Sequence, residues 1–427
     1  MRGALGVAGA AVLGESLLGS WNPARASTRS VAVGAATAGN RTGIDHIVVV
    51  MLENRSFDHF LGWLPNADGI GVSADGKVVD EKRFGTFVYP DSTGARKAIY
   101  HQTALDGCAY GDQDHSYGGG RQQYDGGRMD GFLLDKSNDS YAASYYLADQ
   151  RPFMSQLALN FTTCDRYHCS ILGPTYPNRY FMHAGMTQAL DNSSSTSTLP
   201  TIWDRFNQSG GPNAGYYFGD VPFLALWGTK YLDICSKYEQ FLVDAASGRL
   251  PNLVYIDPRF EDEGDGTSND DHPVADIRGG DTLLSEIYNA LASGPHWERT
   301  VLVVNYDEWG GFFDHVAPHR VTPGVPIGAS AGTDVDKDQV NGKVRLGFRV
   351  PCMVASPFTV GRPEDPRVAH GLYDHTSVLK MIEWNWGLKP LTQRDASTSR
   401  SDPGNLAAVL NLRHPASKAP ALPDLSP

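Results

Sequence analysis

Two stretches of the chain are apolar at nearly every position and then stop abruptly at acidic residues. The first, Ile47-Val48-Val49-Val50-Met51-Leu52, runs into Glu53-Asn54; the second, Val301-Leu302-Val303-Val304-Asn305-Tyr306, runs into Asp307-Glu308. Apolar runs of this length, rich in Val and without alternation, predict parallel strands covered on both faces. A shorter run over 251–257 ends in Asp257 in the same way, and 349–357 predicts a further strand. Helical patterns cover 140–160, 281–292 and 374–386. Another apolar-periodic stretch, 180–186, follows Gly173-Pro174-Thr175-Tyr176-Pro177-Asn178-Arg179, where a glycine and two prolines mark a tight turn from strand into helix. Strands alternate with helices, which predicts an α/β fold with a central, mainly parallel sheet flanked by helices.

The polar stretches fill in the rest. Residues 66–130 are dense in Gly, Asp, Tyr and Gln and predict long loop insertions that act as lids or binding walls. The Ser/Thr tract 193–197 and the Gly-rich excursion 318–345 read as exposed loops, and the Pro/Ala-rich tail 413–427 as lying outside the core. A single domain is therefore expected over 44–412, after a flexible leader at 27–43. Residues 1–26 look like an export signal: Arg2, a small apolar stretch over 3–18, then Ala24-Arg25-Ala26 as an Ala-x-Ala cleavage site. The lone Arg2 also fits a twin-Arg signal truncated at its start. A secreted or periplasmic protein is expected, since no other stretch has the length and apolarity of a membrane span.

Charge narrows the function. A net charge of −12 argues against a protein that binds nucleic acid by neutralising phosphates, and allows at most transient contact with an anionic membrane surface. It leaves a phosphate-containing substrate open, because a bound cation and nearby histidines can supply positive charge locally. Cys108, Cys164, Cys169, Cys235 and Cys352 are compatible with buried thiols or a local disulfide, with no pairing specified. Oligomeric state is not legible.

Candidate chemistry sits at the strand ends. Ligands of open α/β sheets bind beyond the carboxyl ends of the strands, so Glu53, Asn54, Asp307 and Glu308 form an oxygen-rich set suited to one divalent ion such as Ca²⁺, Mg²⁺ or Mn²⁺. One acid after a strand is more often a cap or a solvated loop residue. Two dyads, with Trp309-Gly310-Gly311 and Asp314-His315 close by, favour a site. Thr175 stands at or before a helix N-terminus, where a hydroxyl serves either as the helix cap or as a phosphoryl-accepting nucleophile. Arg179, four residues on, is placed to point back toward the same phosphate.

Five segments, in order, resemble one family: Glu53-Asn54-Arg55-Ser56-Phe57-Asp58-His59, Gly173 to Arg179, Asp270-Asp271-His272-Pro273, Asp307-Glu308 through Asp314-His315-Val316, and His375-Thr376-Ser377-Val378-Leu379. They are similar to the phosphoesterases that include non-specific phospholipases C and a group of bacterial acid phosphatases. The resemblance spans roughly 44–390 and implies an alkaline-phosphatase-like fold with a Ser or Thr nucleophile. It implies Glu53, Asn54, Asp307 and Glu308 as metal ligands and Thr175 as nucleophile. It also implies His272 as a histidine contacting the substrate phosphate, and His115, in Asp114-His115-Ser116, as a further active-site histidine. His315 and His375 lie in family motifs, either touching substrate or holding the scaffold. Thr175-x-Pro177-x-Arg179 also resembles the sulfatase signature, but threonine cannot become a formylglycine, and no cysteine here stands before Pro and Arg at that spacing. Residues 387–427 leave no room for the extra C-terminal β domains of the larger bacterial phospholipases C.

The expected function is an exported phospholipase C that hydrolyses glycerophospholipids such as phosphatidylcholine through a metal-activated threonine. An acid phosphatase for phosphomonoesters is the alternative, and a non-catalytic exported binding protein a second one. The aromatic segments 216–218 and 222–227 are candidates for lining an acyl-chain or headgroup entrance.

Overall fold

The fold is read from a computed structural model that describes residues 42–210, 213–261 and 267–426. Its core is an eight-stranded sheet. In chain order the strands are β1 (His46–Leu52), β2 (Thr162–Cys164), β3 (Ala214–Phe218), β4 (Cys235–Lys237), β5 (Leu253–Asp257), β6 (Thr300–Tyr306), β7 (Cys352–Ala355) and β8 (Val368–Ala369). They lie in the order β8-β2-β7-β6-β1-β5-β3-β4. All neighbours pair in parallel except β7, which runs antiparallel to both β6 and β2. The main helices are α1 (Phe57–Leu61), α2 (Tyr117–Tyr124), α3 (Pro152–Asn160), α4 (Thr175–Ala184), α5 (Ile202–Ser209), α6 (Tyr238–Ser247), α7 (Ile277–Ser293) and α8 (His375–Trp386). The chain is thus α/β with a large, mainly parallel sheet, as its patterning predicts.

Every residue of β1 and β6 is buried, which is what their unbroken apolar runs require of central parallel strands. The register places Leu52 beside Tyr306, and Val50 beside Ile256 of β5. Glu53, Asp307 and Asp257 therefore reach the same edge of the sheet from three adjacent strands.

Elsewhere local chemistry overrides periodicity. The helix predicted over 140–160 is broken. Asp139 caps a short 3-10 turn at Ser140–Ala143, Ser144–Tyr145 pairs with Tyr100–His101, and α3 begins only at Pro152, whose missing N–H suits it to start a helix but not to continue one. Helix α7 begins earlier than predicted because Asp276 accepts from the Arg278 N–H and caps it at Ile277. The strand expected over 349–357 shortens to Cys352–Ala355. Within the long loop region 66–130, Ser116 caps the two-turn helix α2.

The C-terminal tail is not loose. Tyr288 of α7 donates to the Pro420 carbonyl at 2.7 Å, the Leu425 N–H donates to Ser285 Oγ at 3.0 Å, and Leu422 and Leu425 pack against the core. The proposed signal, residues 1–26, and nearly all of the leader lie outside the described residues. Among the described residues, no helix is long and apolar enough to cross a membrane. All five cysteines are free thiols, and only Cys108 is exposed.

Candidate active site

The two acidic dyads are stitched together by main chain. The Asp307 N–H donates to the Leu52 carbonyl at 3.1 Å and the Arg55 N–H to the Glu308 carbonyl at 3.0 Å. Asp307 Oδ1 accepts from the Asn54 N–H at 3.1 Å. Asn54 itself takes a left-handed φ of 60°, a conformation that costs energy outside glycine and tends to be retained at functional sites. Gly310 is what lets the dyads close up: a Cβ there would lie 2.1 Å from the Asn54 carbonyl oxygen. Gly311 does the same for the His115 loop, since its Cβ would sit 2.6 Å from Gln113 Cβ.

Thr175 is the first residue of α4, and the cap position is Pro174, which contributes no side-chain hydrogen bond. The cap role left open for Thr175 is therefore not the one it fills. Its hydroxyl lies close enough to the Glu53 carboxylate to pull that group's pKa down against burial, and the residue is 6% exposed. Asn178 holds the turn in place, its amide donating to the carbonyls of Gly173 at 2.8 Å and Pro174 at 3.2 Å.

Several buried polar atoms of the dyads and of neighbouring Asp270 have no hydrogen-bond partner: Glu53 Oε2, both amide atoms of Asn54, Asp270 Oδ2 and Glu308 Oε1. Burial raises the pKa of Glu53, against the pull of Arg179 and Thr175. It pushes Asp307 up to about 7 against Arg179, and holds Glu308 well above the usual carboxylate range against His115. Unpartnered buried acceptors are rare because each costs on the order of 1–3 kcal/mol. A hard divalent ion, which takes oxygen ligands from carboxylates and amides, fits this donor set.

Two histidines face the cluster from other loops. His115 donates from Nδ1 to the Gln113 carbonyl at 2.7 Å, which leaves Nε2 3.8 Å from Glu308 Oε1. Burial lowers the pKa of His115, but the Glu308 and Asp112 carboxylates outweigh it and bring it to about 9. His272 follows Asp271, whose φ is 73°. Burial takes its pKa down to about 4, against Asp112.

Three of the predicted substrate contacts have other partners. Arg179 donates from Nε to Asp307 Oδ2 at 3.0 Å, and its remaining nitrogens lie 3.5 Å from Asp257 Oδ1 and 3.9 Å from Glu53 Oε2. Three buried strand-end carboxylates need a counter-charge, and this guanidinium supplies it. His375 donates from Nε2 to the Asp307 carbonyl at 2.8 Å and accepts at Nδ1 from Tyr167, so both ring nitrogens hold the scaffold. His315 contacts Asp58 at 2.5 Å and Asp68 at 3.1 Å. The aromatic segments expected at an entrance are core: Tyr216, Phe218, Phe223 and Trp227 are buried and, apart from Phe218, pack around His183.

Sequence reading missed Arg55 and Asp112. Arg55 is fully buried and donates to the carbonyls of Asp271 at 2.7 Å and His272 at 3.1 Å, which fixes the His272 loop. Its position inside the first motif was the available signal. Asp112 lies beside both histidines, within the Asp112-Gln113-Asp114-His115 run.

The model of the Phosphoesterase family matches residues 44–389. The chain belongs to the phosphoesterase family. As a phosphoesterase it is a hydrolase of phosphoric ester bonds. It is 31% identical over 412 residues to non-specific phospholipase C6 of Arabidopsis thaliana, a match covering 90% of this chain and 76% of that protein. It is 30% identical over 439 residues to phospholipase C B of Mycobacterium tuberculosis, covering 91% and 81%. Among solved structures, a protein in the alkaline phosphatase superfamily from Vibrio parahaemolyticus overlaps 77% of this phosphoesterase and 74% of its own chain, at 11% identity and a TM-score of 0.35. That likeness is too distant to assign any residue a role.

Proposed function

We propose that this phosphoesterase is an exported phospholipase C that cleaves glycerophospholipids such as phosphatidylcholine into diacylglycerol and a phosphorylated headgroup. The observation that carries the reading is Thr175 at the first position of a buried helix beside Glu53, together with the buried oxygens of Glu53, Asn54 and Glu308 that have no hydrogen-bond partner. Glu53, Asn54, Asp307 and Glu308 would hold one divalent cation. Bound there, such an ion lowers the pKa of a nearby hydroxyl and offsets charge on phosphoryl oxygens.

The remaining steps belong to the chain's own residues. Glu53 orients the Thr175 hydroxyl for in-line attack on phosphorus, giving a phosphothreonine and releasing the diacylglycerol alcohol. His115, charged at neutral pH, faces the developing negative charge beside Glu308. His272, neutral at its lowered pKa, takes the Thr175 proton and hands it to the leaving diacylglycerol oxygen, then takes a proton from the water that cleaves the phosphothreonine and returns it to Thr175. Arg179 keeps Asp307 and Glu53 in place from beneath, and His375 fixes the Asp307 main chain.

The lipid assignment is supported by relatives named phospholipase C along most of the chain, and no longer by the aromatic segments, which are packed inside. The test is kcat/KM for phosphatidylcholine against p-nitrophenyl phosphate with purified protein and added Ca²⁺, Mg²⁺ or Mn²⁺. A large preference for the lipid, with diacylglycerol as product, supports the reading. A preference for the monoester would assign an acid phosphatase instead.

A further inference from the structure

We propose that Asp112 is a positioning residue that aligns His115 and His272 as one unit, an inference that rests on the active-site reading above. A single oxygen, Asp112 Oδ1, lies 3.7 Å from His115 Nδ1 and 3.9 Å from His272 Nε2. The two rings come from loops far apart in sequence, and this carboxylate oxygen lies within 4 Å of both. Although the Asp112 side chain is 26% exposed, Oδ1 itself is sealed from water and has no hydrogen-bond partner.

The neighbouring acids show that this is not ordinary loop chemistry. Asp106 accepts from the Cys108 N–H, Asp114 from the Ser116 N–H, and Asp139 from the N–H groups of Gly111 and Tyr141. These are local turn and cap bonds of the kind Asp makes wherever a loop bends. Asp112 stands in the same loop, and among the described residues no such bond ties its carboxylate to the backbone. The loop is held by its neighbours, so the Asp112 charge is free to act on the imidazoles.

The spacings of 3.7 and 3.9 Å are too long for hydrogen bonds. Contacts of this length in a free enzyme commonly tighten when substrate fills the site. A phosphate drawn toward the two rings would pull them from the open side while Asp112 backs them from the other. The Gln113 carbonyl already holds the His115 ring through Nδ1, and the Asp112 charge beside that nitrogen and beside His272 Nε2 keeps the two rings facing one point. Asp112 does not contact the reacting atoms in this arrangement.

The test is a double-mutant cycle on a phosphodiester such as p-nitrophenylphosphorylcholine. Asp112→Asn keeps the shape and removes the charge. It is expected to lower kcat about 10- to 100-fold, with KM within about threefold and Tm within about 2 °C of the parent. Asp112→Glu should restore most of kcat. In a His272→Ala background the same change should cost less than about threefold more, because residues that act as a unit are non-additive. The inference is overturned if Asp112→Asn retains the parent kcat, or if its effect multiplies fully with that of His272→Ala. Thr175→Ala, measured in parallel, separates the two claims. Full activity in Thr175→Ala sinks the nucleophile reading and leaves the histidine unit standing if the cycle remains non-additive. An inactive parent sinks both.

Discussion

Two buried clusters of carboxylates lie at one end of this molecule, and they are built on opposite principles. In the first, Asp58, Asp314 and His315 come close enough to hold a metal ion on geometry alone. Arg349 already fills that place: its Nε donates to both oxygens of Asp314 at 2.9 and 3.1 Å, and another nitrogen donates to Asp58 at 2.9 Å. His315 takes the remaining Asp58 oxygen. In the second, Glu53 and Asp307 share one arginine, Arg179, yet Glu53, Asn54 and Glu308 each keep a buried oxygen with no hydrogen-bond partner. Proximity of acids does not distinguish a scaffold from a site. The presence or absence of a partner for each oxygen does.

The largest expected effect comes from the nucleophile between the open acids. Thr175→Ala should lower kcat by roughly 10³-fold or more, with little change in stability, because it removes a group that acts only in the reaction. Retention of the parent rate on both diester and monoester would remove Thr175 from the mechanism.

The two clusters should then respond in opposite ways to the same kind of change. Asp314→Asn breaks a buried pair and leaves Arg349 short of charge, which should cost about 3–5 kcal/mol of stability while a divalent ion still raises Tm. Glu308→Gln keeps an oxygen to accept from the Gly310 N–H and removes a buried charge whose other oxygen has no hydrogen-bond partner, so it should change stability little and should abolish the metal-dependent rise in Tm. Thermal melts of both variants, with and without added metal, read this directly. If Asp314→Asn loses the metal response and Glu308→Gln keeps it, the two assignments are reversed.

A smaller effect concerns acid. Burial lowers the pKa of His168 and of His183 to about 3, below the unfolded value. The unfolded chain therefore binds protons first as pH falls. Stability from these two groups is fully present above about pH 6.5 and is lost progressively toward pH 3, by about 1.4 kcal/mol per pH unit for each histidine. Denaturant midpoints taken from pH 7 down to pH 4 should fall accordingly. A His183→Phe variant, which fills much the same aromatic pocket, should fall less steeply, and an unchanged slope would show that burial of His183 is not what makes the fold acid-sensitive.

The contrast also explains what the sequence could and could not reveal. Strands β1 and β6 and their terminal acids were legible because a strand covered on both faces writes an unbroken apolar run. Thr175 was legible as a residue at a helix start, since Gly173, Pro174 and Pro177 mark the turn. What periodicity cannot show is who pairs with whom. Arg179 stands where a phosphate-binding arginine would, and only the fold reveals that Asp257, from a third strand, and Asp307 occupy it. The same limit hid Arg349, which binds Asp314 and Asp58 and so ties the Asp314-His315 pair, read from sequence as a neighbour of the site, into the scaffold. It hid Asp112, whose significance lies in a histidine brought in from another loop. The helix predicted over 140–160 failed for a different reason: the hydrophobic pattern continues through 144–145, but those residues leave to pair with Tyr100–His101, and Pro152 restarts the helix.

The most direct test of the proposed chemistry is to quench the metal-loaded enzyme in acid during turnover of a phosphodiester and map covalent phosphate by peptide mass spectrometry. The account predicts phosphate on Thr175 in the parent and none in Thr175→Ala. Phosphate on another residue, or a Thr175→Ala variant that turns over at the parent rate, would contradict it.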